Sequence, residues 1–207
     1  MEDMADRSGL ESNKRDHKVE ITDIAISKVP LIRYKEIPEE HYETLQLLAQ
    51  MLLEYVRKDN EGNETAITYN FEEPINPKTG GMYVAVTYGD DHSVDPFGDT
   101  DAYHMKYTAN GCVLIVLHNH PSLSKISLQD VSYLLYHDQL KMIVAVTNRG
   151  SITYIVKSSK LKYIEAVRTT KAAVDEYNAA EGLKEKQDIT NKFLSNCHNV
   201  GLIYDDH

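Results

Sequence analysis

The chain is poor in cysteine and has no long apolar run, and each shortage excludes a class of protein. Two cysteines in 207 residues cannot build the disulfide network of a small secreted domain, so a reducing, cytoplasmic compartment is expected. Cys112 opens a predicted buried strand, where a thiol is an inert core group. No stretch approaches the length of a membrane span, and segment 1–18 lacks the apolar core of a secretory signal. The sequence therefore predicts a protein that does not enter a membrane.

Positive charge is also scarce. The chain carries 22 Lys and Arg against 32 Asp and Glu, a formal net charge of −10, and no basic stripe is visible. A protein that binds nucleic acid needs a basic surface to neutralise the phosphate backbone. A nucleic-acid partner is therefore not expected.

Composition and periodicity predict one α/β (α+β) domain with appendages. The hydrophobic fraction of 42% and the charged fraction of 26% are ordinary for a globular protein. Segment 1–18 is rich in charged residues and serine, which predicts a disordered tail. Segment 19–158 is predicted to form the domain, and segment 159–207 a helical C-terminal extension with a break near Gly182. The apolar residues 200–203 suit addition to the edge of a sheet or to a partner.

The elements predicted within the domain alternate between helices and strands. Segment 19–26 is an uncertain first strand. The order that follows is a helix at 38–58, strands at 66–71 and 82–88, a loop at 89–100, an ambiguous segment at 101–108, a strand at 112–117, a helix at 127–137, and a hairpin of strands 142–147 and 151–156.

Residues that could bind a metal follow the strand at 112–117. His118 and His120 are two residues apart, so extended backbone places both imidazoles on one face. Pro121 lacks an N–H and ends the strand. Asp130 falls in the first turn of the next helix and reaches the imidazoles if that helix packs back on the strand. Two histidines, one carboxylate and an open position suit a catalytic zinc ion.

These residues resemble a known family. His118-x-His120-Pro121 with Ser127-x-x-Asp130 is similar to the motif of the JAMM metalloproteases, also called JAB or MPN proteins, and the local string is closer to the RadC-type and phage-associated JAB-like branch. The resemblance covers roughly residues 41–157. It implies a mixed sheet flanked by helices and a hydrolase that cleaves an amide or isopeptide bond of a protein or peptide, ubiquitin-like proteins included.

The resemblance also implies the role of each residue. His118, His120 and Asp130 would bind Zn²⁺, and Ser127 would donate a hydrogen bond to the developing oxyanion. The family's general acid/base is a glutamate on an early strand after the first long helix. Glu64 matches that place, and Glu61 is the second choice. Two further acids, Glu72 and Glu73, lie at the far end of the strand and are less favoured.

The chain departs from the family pattern in two ways. Nine residues separate His120 from Asp130, where the family has ten, and the shortening falls in the loop 122–126. The glycine-rich run that follows the family's glutamate is missing. A non-catalytic JAB-like interaction module therefore stays an alternative to the enzyme, and the phage-associated branch contains such modules.

The same residues allow other interpretations. Ser127-x-x-Asp130 is also typical of an ordinary helix start, in which the serine is the N-cap and the acid accepts hydrogen bonds from free backbone N–H groups. The string 118–120 spells His-Asn-His, but metal nucleases of that name spread these residues over a hairpin and a helix. The other histidines, including His41 and His137, have no partnered spacing and are predicted to lie on the surface.

Overall fold

The computed structural model describes residues 19–90, 93–121 and 123–207. The predicted tail 1–18 lies outside the described residues. The described part of the chain contains six α-helices and six strands: α1 (Asp23–Ser27), α2 (Tyr42–Asp59), β1 (Thr65–Asn70), β2 (Val84–Tyr88), α3 (Thr100–Thr108), β3 (Leu114–His120), α4 (Leu128–Tyr136), β4 (Leu140–Thr147), β5 (Ile152–Lys157), α5 (Tyr163–Ala179), α6 (Leu183–Asn196) and β6 (Leu202–Asp206).

All six strands form one mixed sheet in the order β2-β1-β3-β4-β5-β6. The central pair, β3 and β4, is parallel, because helix α4 carries the chain from the end of one strand back to the start of the next. Every other pairing in the sheet is antiparallel. The predicted mixed α+β class, with a mixed sheet and flanking helices, is confirmed at this level.

The two faces of the sheet carry different elements. Tyr69 of β1 lies opposite Ile115 of β3, and its hydroxyl is 2.9 Å from Nδ1 of His41, directly before α2. On the other face, Thr153 of β5 accepts a hydrogen bond from the backbone N–H of Ile126, just before α4. Because side chains alternate along a strand, β3 directs one set of residues towards α2 and the other towards α4.

Helix α2 covers the first face with an apolar stripe. The predicted helix is confirmed, and Tyr55 beside the stripe is only partly buried. Each fully buried leucine stabilises the fold by roughly 1.5–3 kcal/mol through removal of its side chain from water. The buried residues of the helix are Leu45, Leu48, Ala49, Leu52, Leu53 and Val56.

Two histidines that were predicted to lie on the surface are buried. His41 is held by the hydroxyl of Tyr69. His137 packs against the rings of Phe97 and Tyr133, with ring centroids 4.9 and 4.4 Å away. The prediction was wrong because sequence spacing can reveal a pair of possible metal ligands. It does not reveal which side chains are buried by contacts with distant parts of the chain.

The C-terminal segment joins the same sheet. The predicted break near Gly182 is confirmed, since α5 ends at Ala179 and α6 begins at Leu183. Strand β6 then pairs antiparallel with β5, as the apolar residues near 200–203 suggested. Gly201 precedes it with φ +81°, and a Cβ there would lie 2.4 Å from the carbonyl oxygen of Lys160. Segment 159–207 is therefore two helices followed by an edge strand.

One predicted element was wrong, and one strand is longer than its apolar run. The uncertain strand in 19–26 is helix α1, with Thr22 as its N-cap. Strand β3 continues beyond its apolar residues to His120, so the prediction that Pro121 ends the strand is confirmed. The strand continues because backbone pairing with β4 extends to His120 and Thr147, and this pairing does not depend on apolar side chains. No helix among the described residues is long and apolar enough to cross a membrane.

Candidate metal centre

His118 and His120 lie at the end of strand β3, and their side chains face α4. Val116, on the same face, lines a cavity together with both histidines. Both side chains are buried, at 5% and 7% exposure. The alternation predicted from the sequence therefore places two imidazoles side by side, with their Nε2 atoms 2.7 Å apart.

Asp130 reaches the histidines through a capping box at the start of α4. Ser127 is the N-cap, and its Oγ accepts a hydrogen bond from the backbone N–H of Asp130 at 3.1 Å. In return, the Ser127 backbone N–H and its hydroxyl both donate to Oδ2 of Asp130, each at 2.7 Å. The helix-start interpretation and the ligand interpretation therefore describe one arrangement, because the box fixes the carboxylate and leaves Oδ1 directed at His118.

The three candidate ligands converge on one point. Oδ1 of Asp130 is 3.3 Å from Nε2 of His118, and Oδ2 is 3.7 Å from Nε2 of His120. The ligand atoms of the three residues all lie within 4.8 Å of one another. Neighbouring ligands of a tetrahedral zinc ion are about 3.3 Å apart, given bonds of about 2.0–2.2 Å. The three separations of 2.7, 3.3 and 3.7 Å lie around this value, so the donor set could hold a metal ion.

The electrostatics of the cluster favour a cation. Burial disfavours charge on His118, but the charge and hydrogen bond of Asp130, with a smaller contribution from Glu64, raise its pKa. Burial and the neighbouring His118 lower the pKa of His120. Burial opposes the ionised form of Asp130, yet the charge and hydrogen bond of His118 hold its pKa well below the usual range. Asp130 is therefore ionised and His120 neutral, which are the protonation states in which a carboxylate and an imidazole bind a metal.

The loop after β3 orients His120. Its Nδ1 lies 2.8 Å from the carbonyl oxygen of Ser124. A carbonyl can only accept, so Nδ1 carries the proton and the lone pair of Nε2 faces the cluster. Leu123 in this loop has φ +61°, a left-handed conformation that costs a non-glycine residue about 1 kcal/mol or more. The nine residues between His120 and Asp130 thus suffice to bring Asp130 to the histidines.

Glu64 lies at the same end of the sheet. Ala66 of β1 pairs with His118, so two residues earlier the chain places Glu64 opposite His120, on the same face. Glu64 lines the cavity with both histidines and Asp130, whereas Glu61 does not. The other two acids follow the far end of β1, where Asn70 caps the backbone N–H groups of Glu72 and Glu73. The structure therefore brings all five predicted site residues together.

Asn119 holds the backbone beside Glu64, a role that the sequence did not reveal. It lies between the two histidines and is fully buried on the opposite face. Its Oδ1 accepts a hydrogen bond from the backbone N–H of Thr65 at 2.7 Å, and its Nδ2 donates to Asn148 at 3.4 Å. A buried, fully paired amide of this kind fixes its neighbours. The arrangement on one strand also differs from the hairpin and helix of an HNH-type nuclease.

The cluster opens into a cavity of about 370 Å³. Its walls come from the segment after β2, the end of β3 and the first turns of α4. Asp130 keeps 16% of its side chain exposed, so the ligand atoms are reached from the cavity. Four further polar residues line the cavity, and their side chains have no recognisable spacing in the sequence: Ser93, Ser124, Gln129 and Tyr133.

Comparisons with known proteins give no relative for this chain. No protein-family model, no curated protein and no solved structure matches it at a significant level.

Proposed function

We propose that the chain is a zinc-dependent hydrolase of the JAMM/JAB type that cleaves an amide or isopeptide bond in a protein or peptide substrate. The observation that carries the proposal is the convergence of His118, His120 and Asp130 on the wall of a cavity that Glu64 also lines. The motif resemblance supports the same residues from their sequence spacing.

His118, His120 and Asp130 would hold the ion as its three protein ligands. Zinc in such a site supplies a Lewis acid that polarises a carbonyl and lowers the pKa of water towards neutrality. The residues around the ligands keep the donor atoms in place. Ser124 fixes the tautomer of His120, and Ser127 fixes the carboxylate of Asp130.

Glu64 would act as the general acid/base. Hydrolysis needs a group that removes a proton from the attacking water and delivers it to the amine nitrogen as the C–N bond breaks. Glu64 is the glutamate on the cavity wall, and the peptide group that follows it is held at both ends, because Asn60 donates to its carbonyl oxygen and Asn119 accepts from its N–H. Proton transfer of this kind contributes about 10²–10⁴-fold to a rate.

Ser127 has a positioning role in the proposal. Its hydroxyl donates to Asp130 at 2.7 Å, so its proton is directed at the ligand carboxylate. The oxyanion role implied by the family would require that hydroxyl to turn towards the cavity, which it lines.

Glu64→Gln with Glu61→Gln as its matched control tests the proposal. Full-length chains are purified without chelator, zinc is counted by elemental analysis, and hydrolysis of a peptide mixture is followed by mass spectrometry. We expect about one zinc per wild-type chain, retained zinc with about 10²–10⁴-fold slower hydrolysis in Glu64→Gln, and wild-type behaviour in Glu61→Gln.

The outcomes separate the parts of the proposal. Loss of zinc in His118→Ala, with zinc retained in the exposed-residue control His104→Ala, supports the ligand set. Equal hydrolysis by Glu64→Gln and wild type contradicts the role of Glu64 alone. A wild-type chain that holds no zinc contradicts the enzyme and leaves the non-catalytic JAB-like interaction module as the account of this fold.

A further inference from the structure

A second groove continues from the cavity along α4. Two residues one helical turn apart, Gln129 and Tyr133, line both the cavity over the candidate ligands and the second groove. The second groove has a volume of about 670 Å³. We name it the aromatic groove after its rings: Phe97, Tyr103, Tyr133, Tyr136 and His137.

Ring packing and hydrogen bonds hold the floor of the aromatic groove together. Phe97 stacks on Tyr133 with ring centroids 5.8 Å apart and meets His137 edge-on at 4.9 Å. The carboxylate of Asp95 accepts hydrogen bonds from the hydroxyl of Tyr133 at 2.8 Å and from the backbone N–H of Phe97 at 3.1 Å. Burial lowers the pKa of His137 to about 4, which keeps the ring neutral. A floor fixed in this way loses little conformational entropy when a ligand binds.

The rim of the aromatic groove is exposed. Tyr136 keeps 81% and Tyr103 57% of their surface in contact with solvent. Lys106 lies over the rings of Phe97 and Tyr103, with its Nζ 5.2 and 5.9 Å from their centroids. Exposed aromatic side chains beside a preformed apolar floor are typical of a binding site.

The distance to the cluster sets the length of ligand that would join the two sites. Six residues of α4 separate Asp130 from Tyr136, which corresponds to about 9 Å along the helix axis. An extended peptide covers about 3.3 Å per residue. A peptide that presents a carbonyl at the cluster therefore reaches the aromatic groove with a side chain about three residues away.

We propose that the aromatic groove binds an aromatic side chain of the substrate, about three residues from the bond that is cleaved. The inference rests on the proposed hydrolase function and adds a substrate class to it. Continuity with the cavity favours a substrate segment over a second copy of the chain, because an occupant of the groove lies directly beside the cluster. Ring-to-ring contacts with Tyr133 and Tyr136 favour an aromatic over an aliphatic side chain.

Tyr136→Ala tests the inference, with Tyr107→Ala as the control. Both tyrosines are 81% exposed, but Tyr107 does not line the groove. The full-length, zinc-loaded chains are incubated with a synthetic peptide mixture, and the cleavage sites are read by mass spectrometry. We expect aromatic residues to be enriched two to four positions from the cleaved bond. For a peptide pair with Phe or Ala at the enriched position, we expect Tyr136→Ala to lower kcat/KM about tenfold for the Phe peptide only.

The contrary results are distinct from failure of the hydrolase. Cleavage without aromatic enrichment, or enrichment that Tyr136→Ala leaves unchanged, overturns the groove and keeps the enzyme. If no peptide is cleaved, the hydrolase fails, and capture of the same mixture by the zinc-loaded chain decides the groove. Aromatic peptides captured by wild type and lost in Tyr136→Ala support it, and their absence overturns it. Sedimentation measures whether the chain is a dimer. A wild-type dimer that Tyr136→Ala dissociates would show that the groove binds a second copy of the chain, and this result would overturn the inference.

Discussion

The two faces of the sheet are made from the same strands, yet they bury different chemistry. Leu117 and Ile115 of β3 lie on the face that α2 covers with leucines, whereas His118 and His120 lie on the face that meets α4. Apolar burial on the first face costs no hydrogen bonds. Polar burial on the second face is tolerated only because each buried group has a partner. The first face therefore contributes mainly to stability, whereas the second face also holds the cluster.

The largest expected effect is a loss of stability caused by a substitution on the face that α2 covers. Leu48→Ala removes a fully buried side chain of α2 and should lower the free energy of unfolding by about 2–5 kcal/mol because it leaves a cavity. Denaturant unfolding monitored by circular dichroism measures the loss. The folded fraction should still bind zinc as wild type does. Loss of zinc from a folded Leu48→Ala chain would show that the faces are not independent.

Much of this division was predictable from the sequence. The alternation at His118 and His120 and the helix start at Ser127 predict the cluster, because strand and capping geometry are local. The burial of His41 and His137 and the role of Asn119 were not predictable. Each depends on an element distant in sequence, and periodicity shows which side of a strand or helix is covered but not what covers it.

A smaller loss of stability is expected at Asn119, which lies on the α2 face and hydrogen-bonds the backbone beside Glu64 of the other face. Asn119→Ala leaves the backbone N–H of Thr65 without its buried acceptor and should lower the free energy of unfolding by about 1–3 kcal/mol. Zinc should be retained, since Asn119 faces away from the cluster, while hydrolysis slows because the backbone beside Glu64 shifts. Asn196→Ala, on the surface of α6, should change stability by less than about 0.5 kcal/mol.

Equal stability of Asn119→Ala and Asn196→Ala in urea unfolding would show that the hydrogen bond from Thr65 to Asn119 does not stabilise the fold. Unchanged hydrolysis in a destabilised Asn119→Ala chain would restrict the role of Asn119 to folding.

The smallest effect is expected at the capping box. Ser127→Ala removes the N-cap of α4 and one of the hydrogen bonds to Asp130. We expect a loss of about 1 kcal/mol in unfolding free energy and zinc affinity weaker by about 10–100-fold, measured by competition with a zinc indicator. Ser195→Ala, whose hydroxyl bonds only within α6, is the control. Wild-type zinc affinity in Ser127→Ala would show that the cap does not position the ligand.

We expect His118, His120 and Asp130 to hold one metal ion together. The decisive experiment is a crystal structure of the full-length chain grown with zinc, with anomalous data at the zinc edge. One anomalous peak is expected, about 2.0–2.2 Å from Nε2 of His118, Nε2 of His120 and a carboxylate oxygen of Asp130. A chain crystallised in excess zinc with no peak among these atoms, and with His118 paired to Asp130 alone, would contradict it.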